Sequence, residues 1–236
     1  MKKRLLSHSI ALSLLAANLA HASGMLPETS VVIVNEADGE GVINVKNTDP
    51  TPSLLYTAIE DIPEDTADLI VASPPVARVE SGQNQLVRFI LQSDQPLETE
   101  RMKRVTFEGI PQKHEGASQV KVVIRQNLPL IIRPKHLAPD RQPWLHLQWA
   151  VAGEQLTVSN PSPYVVRLAQ AVRVLPADRE AALPKSYILP GEKIMLTTDR
   201  STASKALKVR LLPSTAYGYA AGSVEMPVNQ TTQPAK

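Results

Sequence analysis

The side chains in this sequence best suited to chemistry are three histidines and a few paired acids. His114, His136 and His146 could grip a metal ion only if spaced i, i+2 on a strand or i, i+4 on a helix, and none has such a partner. Glu64 with Asp65, and Glu98 with Glu100, could act as an acid and base on a glycosidic bond, which needs an enclosing cleft. These acids fall in turns or at strand starts and read as solvated charge. The chain has only 2 Trp and 5 Tyr, too few for a sugar platform. Cysteine is absent, which removes thiol nucleophiles, disulfides and thiolate metal sites together. There is no G-x-S-x-G, H-E-x-x-H or P-loop pattern. Neither an enzyme, nor a cofactor, nor a metal site is expected.

The remaining chemistry is that of unpaired backbone. SQVKVVIRQNLPLIIRP (118–134) alternates with period two: Val120, Val122, Ile124, Leu128, Leu130 and Ile132 share one face, while Lys121, Arg125, Asn127 and Arg133 lie on the other. Seventeen extended residues span roughly 56 Å, about three times an ordinary strand. Val120, Val122 and Ile124 could point into their own domain's core. Alternatively they could lie at a sheet edge and meet an incoming chain. Edges are normally blunted by proline or inward charge. Positions 118–128 have no proline, and their charges, Lys121 and Arg125, sit on the odd face. An unblunted edge would serve strand addition.

The elements that must position such an edge read as all-β. A basic start (Lys2, Lys3, Arg4), an apolar run from Ile10 to Leu19 and the small-residue site Ala20-His21-Ala22 form a secretory signal, with cleavage expected between Ala22 and Ser23. Export to the periplasm follows, and no later stretch is apolar enough to insert into a membrane. The remaining 214 residues carry 22 basic and 23 acidic side chains, so no basic surface argues for nucleic acid. β-branched segments such as VVIVNE, GVINVKN, QLVRFILQ, RVTFEGI, LHLQWAV, QLTVSN and YVVRLAQAVRVL recur between turn signals. Short strands at this spacing indicate an all-β sandwich or barrel. His146 falls on the LHLQWAV strand. DREAA (178–182) reads as one helical turn in a loop, and the tail NQTTQPAK (229–236) as frayed. Proline-rich RPKHLAPDRQP (133–143) reads as a linker, giving domains over 23–134 and 135–236.

In this order the motifs resemble the PapD-type periplasmic pilus chaperones. ASPPVARVESGQNQLVRF (72–89) is similar to that family's Pro-Pro turn and strand–Gly–strand hairpin. ETERMKRVTFEGIPQ (98–112), NLPLIIRP (127–134), NPSPYVV (160–166) and ILPGEKIML (188–196) resemble further landmarks. The short QKHEGA connection (112–117) resembles the family's short-loop branch. The resemblance implies two immunoglobulin-like β-sandwich domains set as an L, binding pilus subunits by donor-strand complementation and delivering them to an outer-membrane usher. It places the donated residues at Val120, Val122 and Ile124, and aligns Glu100 and Arg133 with an interdomain ion pair. A homodimer could mask the edge in the free protein.

The pattern also departs from the family. The two cleft cations that usually hold a subunit's terminal carboxylate fall here on Val31 and Pro129. Arg125 and Asn127, on the same strand face as Pro129, are candidate substitutes, with an ordinary exposed polar face as the other reading. The expected third partner of the ion pair is Ala216, so any such network is incomplete. Two other functions compete: an exported two-domain adhesin or structural pilus component, and a carbohydrate-binding or hydrolytic sandwich.

Overall fold

The computed structural model describes residues 24–112 and 123–231. The signal segment, the cleavage pair Ala22 and Ser23, and the donor-strand residues Val120 and Val122 lie outside the described residues.

Nine strands build the first half: β1 (Met25–Pro27), β2 (Val32–Asn35), β3 (Glu40–Asn47), β4 (Ser53–Glu60), β5 (Ile70–Ser73), β6 (Val76–Val79), β7 (Asn84–Leu91), β8 (Arg101–Pro111) and β9 (Arg125–Arg133). Their order is β5-β7-β3-β2-β9-β8-β4-β6, with β1 beside β3, so β2 joins two packed layers. Alternation decides which side chains fill the gap between the layers. Val32, Val34, Ile43, Val45, Leu55, Val87, Phe89, Val105, Phe107, Leu130 and Ile132 form one core. Phe89 and Phe107 meet edge to face across it, with centroids 6.4 Å apart.

The second half holds β10 (Gln148–Ala152), β11 (Gln155–Ser159), β12 (Val166–Arg167), β13 (Ala171–Leu175), β14 (Arg179–Ala182), β15 (Tyr187–Ile188), β16 (Lys193–Met195), β17 (Lys208–Leu211) and β18 (Val224–Thr231). Seven of these form a sheet ordered β14-β13-β17-β18-β10-β11-β16, while β12 and β15 pair separately. Trp144, Trp149, Val158, Val174, Ile188, Val209 and Leu211 lie in its core. Each half is an immunoglobulin-like sandwich, in keeping with the short alternating strands.

Several local expectations fail for tertiary reasons. Arg179–Ala182 of DREAA form β14, because β13 supplies a pairing partner from Ala171↔Ala182 to Val174↔Arg179. The tail is not frayed from its start. Met226 and Val228 pack on the core, and residues through Thr231 run parallel to β10 inside the sheet. The strand–Gly–strand segment is present, but β6 pairs with β4 and β7 with β3 and β5, so it crosses between layers and is not a paired hairpin. His146 lies in a 3-10 turn (Pro143–His146), not on a strand, stacked on Tyr164 and 2.7 Å from Asp140. Asp199 caps a short helix, α1 (Arg200–Ser204), by accepting the Thr202 N–H, which alternation does not signal.

Candidate functional site

β9 is covered unequally on its two sides. Along one it pairs antiparallel with β8 from Glu108↔Arg125 to Arg101↔Ile132. Along the other, β2 runs parallel to it only from Val32↔Leu130 to Asn35↔Arg133. Among the described residues, Arg125–Pro129 therefore have a strand neighbour on one side alone. Pro129 lacks an amide hydrogen, so pairing by an added strand must stop there. Ile124, just before β9, is 43 % exposed. It shares strand parity with Leu130 and Ile132, which are fully buried. That parity is thus buried at Leu130 and Ile132, half-buried at Leu128 and exposed at Ile124.

The odd face of β9 and the even face of β8 turn toward the second domain. Met102 and Ile131 pack there with Val31, Ile62 and Val165 in an apolar contact between the domains. Val31, where the family pattern has a cation, is buried in this cluster. Beside it Arg133 Nε donates to Glu100 Oε1 at 3.1 Å, and Glu100 Oε2 accepts the Val165 N–H at 3.0 Å. The Glu100 N–H in turn donates to the Pro163 carbonyl at 2.8 Å. Glu100 is only 6 % exposed. Burial raises its pKa, and the Val165 N–H and Arg133 charge offset this only in part.

The structure separates the roles of Arg125 and Asn127. Arg125 Nη2 lies 2.6 Å from Glu60 Oε1, an exposed ion pair. Asn127 receives Arg104, whose Nε donates to Oδ1 at 2.6 Å and Nη2 to the main-chain oxygen at 2.8 Å. Asn127 Nδ2 also donates to Glu60 Oε2 at 3.3 Å. The two form a local network with Glu60 and Arg104 rather than a free pair of donors.

The reading of the paired acids as solvated charge fails for Asp65 and Glu100, which are buried and ion-paired, while Glu64 is exposed but also paired. Glu64 pairs with Lys185 of the second domain and accepts the Tyr187 hydroxyl at 2.9 Å. Burial together with that hydrogen bond and the Glu64 charge pushes the Tyr187 phenol up to about 12. Asp65 accepts from Arg101 Nε and Nη2, each at 2.6 Å, and lies 3.2 Å from the buried Lys103 ammonium. Lys103 also bonds Asp61 at 2.6 Å. Burial would raise the Asp65 pKa, but Arg101 and Lys103 together bring it below the ordinary carboxylate value. These acids staple the 61–65 turn and the domain contact. Sequence spacing does not reveal that, because the partners lie 36 and 121 residues away.

Comparison with known proteins places these features in context. Residues 24–138 match the family described as pili and flagellar-assembly chaperone, PapD N-terminal domain, and residues 142–220 match the pili assembly chaperone PapD C-terminal domain. The chain is 48% identical over 199 residues to the uncharacterized fimbrial chaperone YhcA of Escherichia coli (strain K12), covering 84% of this chain and 88% of that one. Its fold is similar to that of the SafB chaperone, solved in complex with the SafA pilin of Salmonella enterica. The TM-score is 0.70 at 20% identity, over 88% of this chain and 98% of that one. The E. coli chaperone DraB gives a TM-score of 0.69 at 21% identity, over 86% and 98% of the two chains.

Proposed function

This chain belongs to the PapD family of pilus-assembly chaperones, and on that premise we propose that it captures pilus subunits in the periplasm along the open edge of β9 and delivers them to an outer-membrane usher. The observation that carries this reading is the one-sided pairing of Arg125–Pro129, continuous with an exposed Ile124. An edge of this kind supplies hydrogen bonds to an incoming strand while its apolar side chains enter the guest's groove. Val120, Val122 and Ile124 are the donated residues. Each side chain buried contributes about 1.5–3 kcal/mol of apolar transfer. Three together hold a subunit in solution and still permit its later displacement. The contact of Met102, Ile131, Val31, Ile62 and Val165, braced by Glu100 and Arg133, fixes the second domain against this edge.

The test is co-expression with a pilin subunit that lacks its final strand, followed by recovery of the complex from the periplasm. The wild-type chain should co-purify with the subunit, whereas Val122→Arg/Ile124→Arg should lose it while melting at the wild-type temperature. Undiminished recovery by that folded variant would exclude capture along this edge.

A further inference from the structure

Among the described residues the two domains meet in two groups of polar contacts, and the groups differ in what holds them. The first lies where the chain crosses from one domain to the other. Glu36 Oε2 accepts the Lys135 N–H at 2.8 Å, and the Tyr164 hydroxyl donates to the Ala138 carbonyl at 2.8 Å, so the crossing is tied to both sides. A small cavity beside it is lined by charges of both signs, Glu100 and Asp140 against Arg133 and Arg167. Here the second domain is bonded to buried Glu100 through the Val165 N–H and the Pro163 carbonyl. Ser30 Oγ also donates to the Tyr217 carbonyl at 3.1 Å. Parting the domains at this point would strain the linker and break bonds to a buried carboxylate, a costly loss.

The second group has no covalent link across it. Glu64, on the 61–65 turn, pairs with Lys185 and accepts the Tyr187 hydroxyl at 2.9 Å. When these sides part, each group still has a partner or water. Lys185 lies 2.7 Å from Glu192 Oε1 and 4.5 Å from the centre of the Tyr187 ring, both in its own domain. Glu64, whose side chain is already 33% exposed, passes into water. The turn beneath it keeps its shape, because Lys103 bonds Asp61 and the Asp65 carbonyl at 2.6 and 2.7 Å while Arg101 holds the Asp65 carboxylate. Separation of such a pair costs little. The apolar cluster between the groups follows the same gradient: Val165 is buried, while Tyr187 and Leu189 are only partly buried.

We propose that the two groups act as hinge and latch: the second domain pivots at the crossing beside Glu100 and Val165, and the cleft opens when Glu64 releases Lys185 and Tyr187. Lys185 passes from two carboxylates to one, with Glu192 as its standing partner. The closed arrangement is the one described above. The device does not depend on strand capture; it sets how far the second domain can yield beside the β9 edge.

Because the chain has no cysteine, paired spin labels can be placed by substitution. Asp94→Cys with Lys205→Cys, and Ser81→Cys with Lys205→Cys, put labels at exposed sites of the two domains, and double electron–electron resonance reads their separation. Each pair should give one dominant distance in the otherwise wild-type chain. Glu64→Ala should raise the population at a second distance about threefold, the effect of losing a contact of surface ion-pair size. Lys185→Met should do the same, which keeps the test open should the first variant fold poorly. Glu192→Gln leaves the Glu64 contact intact and should keep the wild-type distribution. Glu100→Gln, which retains an acceptor for the Val165 N–H, should keep it too. Unchanged distances in both Glu64→Ala and Lys185→Met would overturn the latch. A second distance arising equally in Glu192→Gln or Glu100→Gln would overturn the division into hinge and latch.

Discussion

Replacing Glu100 with alanine tests whether a buried ion pair braces the two domains. The substitution strands Arg133, whose side chain is 12% exposed, and leaves the Val165 N–H without its acceptor. Breaking a buried pair by removing one partner costs about 3–5 kcal/mol, and an orphaned buried donor about 1–3 kcal/mol. The two overlap. Burial already holds the Glu100 carboxylate in an unfavourable state, as its raised pKa shows, so part of the loss is returned when the charge goes. The expected cost is therefore near the lower bound, about 3 kcal/mol. Glu100→Gln keeps an acceptor for Val165 and should cost about 1–2 kcal/mol less. Urea unfolding at pH 7, followed by circular dichroism, measures both. A loss below about 1 kcal/mol for the alanine variant, or equal losses for the two, would refute the assignment. The pH dependence has a definite sign. A carboxylate whose folded pKa is raised binds its proton more tightly in the folded state, so stability from this group falls as pH rises from the ordinary glutamate value through the folded one. The glutamine variant should lack that decline.

Three other outcomes follow from the same contacts. Asp65→Ala deprives Arg101 and the 1% exposed Lys103 of their shared carboxylate and should cost about 3–5 kcal/mol in urea unfolding. Because the folded pKa of Asp65 is depressed, its contribution is complete above the ordinary aspartate value and fades as pH falls through the folded one, which an acid titration of wild type against Asp65→Asn would show. Gly218→Ala should lower the melting temperature, since φ is +87° and the new Cβ would sit 2.1 Å from Ser30 Oγ across the domain contact. The strain is worth about 1–3 kcal/mol, and Ser30→Gly should recover part of it. Ile124→Asp alone, at an exposed position, should shift stability by no more than about 0.5 kcal/mol yet reduce recovery of a co-expressed pilin.

The core strands were legible because burial on one face imposes period two. VVIV, GVINV and RVTF fill the first sandwich as their alternation requires. The second-domain edges were less legible. DREAA carries helix-favouring residues, and the polar tail carries little apolar content, yet both are strands because a neighbour offers its backbone. The candidate site divides in the same way. Ile124 and the open edge were visible as an apolar face free of blunting residues, and Glu100 with Arg133 through the family pattern. Arg104 carries no signal of its own within RMKRVTFEG. Its hydrogen bonds to Asn127, 23 positions further along, follow from the register of β8 on β9.

Sequence alone determined the class of the protein: alternation, turn residues and motif order point to two β-sandwiches, of whose expected long strand the described part is β9, Arg125–Arg133. Tertiary structure alone decided where the apolar face of that strand stops being core, since Ile124 and Ile132 share a side and differ only in whether a second layer lies above them. It also decided which charges are paired and with what. That depends on strand register and on the approach of a second domain, and Coulomb energy follows distance in space rather than position in the chain.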